Sequence, residues 1–220
     1  MKKFELTAEF VTNVFGKKLF RIKALVAFGN VEKGELGGFI EKEDNLSHDG
    51  NAWVYGNALV YGDARVSGDA WVSGSALVYG SALVYGDAWV FGDARVSGDA
   101  RVYGNARVSG SARVYGDAWV FGDARVSGDA RVYGDAQVSG NADFAVVTGF
   151  GRYFRSTTFF RCKDKILRVQ CGCFYGDLAQ FREIVKKTHG DSKYAKEYLA
   201  IADLMELHFS DEEENQEAAE

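Results

Sequence analysis

Residues 98–115 read GDARVY GNARVS GSARVY: glycine, then Asp, Asn or Ser, then alanine, a variable residue, valine and a second variable residue. The same hexad starts at Gly50 and runs without interruption to Ala145, sixteen times, with Phe144 alone in place of valine. Fixed-period self-similarity of this kind marks a solenoid, in which each unit buries its apolar side only against its neighbours. Alanine and valine stand two apart and the period is even, so both keep one parity along an extended chain and face inward. The residues on either side of valine, such as Arg101 and Tyr103 around Val102, then face outward. Glycine followed by a short polar residue supplies the backbone conformations of a sharp corner.

Hairpins of such short strands would bury almost nothing per unit. A coil that stacks on itself, each turn hydrogen-bonded to the next at about 4.8 Å, removes that difficulty, and each buried valine contributes about 2 kcal/mol against ordering entropy. Units such as VYGDAR, VSGDAW and VYGNAR resemble the hexapeptide repeat of left-handed β-helix proteins. The resemblance implies a mainly β fold with three units per triangular coil, about five coils and a prism roughly 25 Å tall. The left hand comes from that resemblance alone, since general crossover rules favour the right hand.

With three units per coil, residues eighteen apart share a face. One face carries Trp53, Trp71 and Trp89, then Arg107 and Arg125, with Phe91 alongside; a second carries Leu59 and Leu77, then Arg95, Arg113 and Arg131, with Tyr115 and Tyr133 alongside. The third carries Arg65, Leu83, Arg101, Trp119 and Gln137. Trp53, Trp71, Trp89, Phe91, Leu59 and Leu77 are the candidate oligomer interface, because stacked apolar side chains exceed what a monomer exposes and relatives of this fold form parallel trimers. Arginines stacked at sheet spacing repel and require anions or carboxylates nearby. Corner residues such as Asp99, Asp117 and Asp135 offer one solution, a self-compensated Arg and Asp lattice. The other is a phosphate-bearing ligand held by Arg95, Arg113, Arg131, Tyr115 and Tyr133, together with Arg152, Arg155 and Arg161 beyond the repeat.

The flanks are expected to cover the open ends of the solenoid. Alternation around Val11–Val14 and Leu19–Ala24, separated by Phe15-Gly16-Lys17-Lys18, predicts an amino-terminal β-hairpin. Residues 157–175 read as two strands around Lys163-Asp164-Lys165, followed by a helix capped by Asp177 and ended by Gly190, and a second opened by Asp191 or Ser192 and running to about Phe209. On that second helix Tyr194, Tyr198, Ile201, Met205 and His208 share a face and read as packing residues. The expected organisation is a cap over 1–49, the β-helix over 50–145, a ββαα module over 146–209, and a disordered acidic tail over 210–220. The segments GKKLFRIKAL, GELGGFIEKEDNLSHDGNAWVYGNA and CGCFYGDLAQF resemble hexapeptide-repeat or polymer-forming proteins of bacteriophages and prophages. That resemblance implies a phage setting, and with it a counter-defence role through sequestering a host signalling nucleotide or blocking a host protein.

The net charge is −5, and six acidic residues fall within the last ten, so the rest of the chain is nearly neutral and carries no global field for nucleic acid or membrane. The chain opens on MKKFELTAEF, without the apolar run of a signal peptide, and is expected in the cytoplasm, that of the host if phage-encoded. Cys162, Cys171 and Cys173 are odd in number and match no usual zinc spacing, so neither a disulfide framework nor a metal is expected, and no cofactor.

The left-handed β-helix resemblance also brings in acyltransferases and carbonic anhydrases, which use histidines. Here the repeat has none: His48 precedes it and His189 and His208 follow it. An acyltransferase-like enzyme with an intersubunit site around His48 is therefore the alternative to a non-enzymatic trimeric binding scaffold, and a purely structural or partner-protein scaffold is the third reading.

Overall fold

The computed structural model describes residues 2–210. The chain divides into two compact units between Asn141 and Ala142. The acidic residues of the expected tail lie outside the described residues.

The first unit is a β-solenoid. Three strands, β1 (Phe4–Thr12), β2 (Lys18–Ala24) and β3 (Leu36–Ile40), precede fifteen two-residue strands, β4 to β18, running from Trp53–Val54 to Gln137–Val138. The short strands stack as parallel neighbours eighteen residues apart, in three columns that reproduce the three faces read from the sequence. Every Ala and Val from Ala52 to Val138 is sealed from solvent, as the parity argument requires. At the corners glycine takes positive φ; at Gly98 it is +70°.

The solenoid begins earlier than residue 50. Phe39 and Ile40 of β3 pair in parallel with Leu59 and Val60, and Leu46 bridges to Val66, so a partial turn brings the total to about six rather than five. The sixteenth hexad leaves the coil: Asn141–Asp143 forms a short 3-10 turn, and Phe144 enters a different sheet. Repetition of the sequence pattern there does not repeat the geometry, because a phenylalanine cannot fill the space that valine fills at the axis.

The stacking has a direction. Each turn's N–H groups donate to the carbonyls of the following turn, as in Arg95 N to Ala112 O and Ser97 N to Val114 O, both 2.9 Å. The first turn therefore presents carbonyls with no turn before it, and the cap meets them. Lys3 Nζ donates to Ala52 O at 2.9 Å and Gly50 O at 3.2 Å, while Asn45 Nδ2 donates to Ala64 O at 2.8 Å and Gly62 O at 3.1 Å. Backbone N–H groups of Phe39, Glu41 and Ser47 take the carbonyls of Ala58, Val60 and Val66. Burial lowers the Lys3 ammonium to about 8, against the opposing pull of Asp49 and Asp69.

The predicted hairpin exists, as β1 paired with β2, and β3 extends it. Trp53 corrects the sequence reading: it is fully buried, not part of an exposed ladder, because Phe4 and Phe28 of the cap pack edge-on against it at 6.2 and 5.3 Å between ring centroids.

The second unit is a four-stranded antiparallel sheet with two helices, where two strands were expected. Its strands β19 (Phe144–Val147), β20 (Thr157–Arg161), β21 (Leu167–Cys171) and β22 (Phe174–Asp177) pair in chain order. Reading Phe144 and Ala145 as a sixteenth hexad concealed β19, and the two-residue turn Gly172-Cys173 separates what reads as one strand into β21 and β22. Helix α1 (Leu178–His189) opens on the predicted Asp177, whose side chain accepts from Gln180 N at 2.8 Å while Gln180 Oε1 accepts from Asp177 N at 3.0 Å. Helix α2 (Lys193–His208) is capped by Ser192. Phe159 and Val169 of the sheet pack against Phe181, Tyr198, Ile201 and Met205 of the helices. Tyr194 and His208, assigned to that packed face, are exposed, and Ala195 and Ala202 are buried in their place.

Candidate functional site

Arg95, Arg113 and Arg131 stand one above another on adjacent turns, Arg95 paired with Arg113 and Arg113 with Arg131. With Tyr79, Ser97 and Tyr115 they line an open groove of about 250 Å3. The position is dictated by the hexad: each arginine is the outward residue directly before a buried valine, so three guanidiniums share one face at turn spacing. Among the described residues, Arg95 and Arg113 join none of the ion pairs, so the Arg and Asp lattice allowed by the sequence is not what holds these two. Tyr133 stacks on Tyr115 with ring centroids 4.5 Å apart. Burial raises the Tyr115 hydroxyl above its ordinary range, Arg131 and Arg113 pulling it back and Tyr133 adding to the rise; at neutral pH it is a phenol that both donates and accepts.

The remaining predicted ligand residues are elsewhere. Arg152 and Arg155 lie in the second unit at the mouth of a separate cavity. Arg161 is committed to the fold: its Nη2 donates to Phe209 O at 2.8 Å and its guanidinium lies over the Phe209 ring, fastening the end of α2 to the sheet. It is removed from the candidate ligand set for that reason.

The aromatic faces follow the rise of the coil. Trp71 and Trp89 stack at 5.5 Å, and Tyr85, Tyr103 and Phe121 form a column at 4.9 and 5.1 Å with nearly parallel planes. Trp89 and Phe91 are 40% and 37% exposed, whereas Trp71, Leu59 and Leu77 are half-buried by their neighbours on the face. The Arg107 guanidinium caps the Trp89 ring at 4.9 Å.

His48 sits against the cap. Its ring stacks on Phe4 at 4.3 Å, Nδ1 accepts from Lys3 N at 3.2 Å, and Nε2 faces Glu43 Oε2 at 3.7 Å. Its two ring nitrogens thus face a backbone N–H and a carboxylate of the cap. A cavity of about 600 Å3 beside it is lined by Glu43, Arg65 and Tyr85 among others. Among the described residues no three His, Cys, Asp or Glu side chains converge as a metal site, and no helix is long and apolar enough to cross a membrane.

Stacked two-residue strands, a sealed Ala and Val interior and outward ladders define a β-solenoid repeat protein. Within the solenoid, residues 52–68, 58–74, 64–80, 100–116 and 124–140 are similar to the YdcK beta solenoid repeat. Comparison with curated proteins gives no match.

Sequence reasoning found the arginine ladder because spacing alone fixes it. It missed Ser97 as a groove residue and the grouping of Arg152 and Arg155 with His189 and Tyr198, which only the packing of the two helices brings together.

Proposed function

We propose that this protein is a binding scaffold that holds a phosphate-bearing ligand on the ladder of Arg95, Arg113 and Arg131, and that it works as a homotrimer. The observation that carries the reading is the in-register placement of three arginines lining one tyrosine-flanked groove. Two unit charges a turn apart repel by about 1 kcal/mol in water and by roughly 3–4 kcal/mol at a protein surface. A ligand with two or more phosphates relieves that repulsion on adjacent rungs, and guanidinium forks suit its oxygens. Tyr79 and Tyr115 offer ring faces beside it, which favours a nucleotide over a bare polyanion. In the phage setting that the flanking sequences resemble, the scaffold would withhold a host signalling nucleotide.

The exposed rings of Trp89, which stacks on Trp71, and of Phe91 support self-association, since exposed aromatics of this kind form contact cores between subunits. Calorimetric titration of the full chain with inorganic tripolyphosphate tests the ligand reading. Saturable binding that weakens with salt and falls at least tenfold in Arg113→Gln is expected; absence of binding, or an unchanged affinity in the variant, would overturn it.

A further inference from the structure

The second unit contains a cavity of about 210 Å3 that the ladder reading does not use. Its walls are largely rings and aliphatic side chains. Phe174 and Phe181 meet at 5.6 Å between centroids, Phe181 and Tyr198 at 5.8 Å edge-on, and His189 and Tyr198 at 5.8 Å, while α1 adds Ile184 and Val185. The mouth has a different character. Arg152 and Arg155 place their guanidiniums 5.6 and 4.9 Å from the centroid of the exposed Tyr153 ring. Neither joins an ion pair among the described residues, and Glu197, which accepts from Gly151 N of the same loop at 2.9 Å, pairs with Lys193 at 3.4 Å.

The loop that carries these arginines is held in place. Gly151 has φ +71° and lies directly on the Tyr198 hydroxyl, where any Cβ would collide, and Phe154 takes φ +51°, a conformation costly for a non-glycine residue. Such strain persists only where the surroundings enforce it and gathers at ligand clamps. Two like charges gathered on one ring at the entrance of an apolar chamber are complementary to a molecule with a single anionic end and a flat apolar body.

The geometry points to a binding site for a small planar aromatic monocarboxylate, its rings among Phe174, Phe181 and Tyr198 and its carboxylate between Arg152 and Arg155. The volume suits about ten to thirteen non-hydrogen atoms, below the range of drug-sized pockets. Carboxylate oxygens accept bidentate bonds from guanidinium forks, and the ring walls take the aromatic body in edge and offset contacts.

The test uses the full chain with 2-naphthoate and its neutral isostere 2-naphthamide, titrated by calorimetry. Naphthoate is expected to bind once per chain and at least tenfold more tightly than the amide. The double variant Arg152→Gln/Arg155→Gln should lose that preference while keeping its affinity for the amide. Thr188→Trp, at the cavity lip on a helix surface, should block both ligands without changing the helical circular dichroism. Arg113→Gln should leave naphthoate binding untouched, so failure of the ladder and failure of this site are read separately. Equal affinity for acid and amide, indifference to the double variant, or no binding by a folded chain would each overturn the assignment.

Discussion

Gly98→Ala and Gly128→Ala place the same methyl group on corners of nearly the same conformation, φ +70° and +64°. They differ in what the methyl meets. At Gly98 an added Cβ would stand 3.0 Å from Gly116 N and 3.1 Å from Gly116 O, backbone atoms of the next corner; at Gly128 nothing lies within 4 Å. The shared cost of a left-handed backbone is about 1–2 kcal/mol, reduced by the roughly 0.4–1 kcal/mol that alanine gains by restricting the unfolded chain. Gly128→Ala should therefore destabilise by roughly 0–1.6 kcal/mol. At Gly98 the corners cannot separate freely, because Ser81 N donates to Gly98 O at 2.9 Å and Asp99 N to Gly116 O at 3.0 Å. Overpacking against such a fixed neighbour adds about 1–3 kcal/mol, for a total of roughly 1–4.6 kcal/mol. Urea unfolding followed by far-ultraviolet circular dichroism and by tryptophan fluorescence measures both variants, and coincidence of the two signals checks that the solenoid unfolds as one unit. If the two substitutions destabilise within about 0.5 kcal/mol of each other, close stacking of corners is not what restricts these positions to glycine.

Lys3→Met should cost about 1–3 kcal/mol, because it leaves the Gly50 and Ala52 carbonyls without their donor. The folded-state value for Lys3 is depressed to about 8, so between that pH and 10.5 the unfolded chain holds the proton more tightly, and wild-type stability should rise with pH across that window relative to Lys3→Met. A pH-independent difference between the two melting curves would contradict this. Light scattering should give three times the chain mass of 24.2 kDa, shifting towards one chain in Trp89→Glu; a wild-type protein at one chain mass refutes the trimer.

The solenoid was legible because its sequence repeats with its geometry: one parity rule, applied to Ala100 and Val102, assigns every interior position and stacks Arg95 under Arg113. Legibility failed where a residue's surroundings come from distant chain. Trp53 holds the same hexad position as Trp71, yet Phe4 and Phe28 seal one and not the other. Strand β3 is hidden by Gly37-Gly38, which weakens any strand signal; the pair is needed because a Cβ at Gly38 would stand 2.7 Å from the Ala58 carbonyl of the first turn. The cavity of the second unit combines loop, strand and both helices, with Arg152 and Tyr198 far apart in sequence, so no local motif could announce it.

The direction of the parallel ladder explains the chemistry of the cap. A solenoid whose N–H groups all point towards later turns ends in bare acceptors on one side and bare donors on the other. An amino-terminal cap must therefore supply donors, and this one does so with an ammonium, a side-chain amide and the N–H groups of β3 and the segment after it. The opposite end needs acceptors, and there Asn141 Oδ1 accepts from Arg125 N at 3.0 Å. End-to-end growth of such a coil requires the acceptor edge of one molecule to meet the donor edge of another. With Lys3 and Asn45 already donating to the acceptor edge, those carbonyls are not free to meet the donor edge of another molecule, so the cap opposes end-to-end growth of the coil.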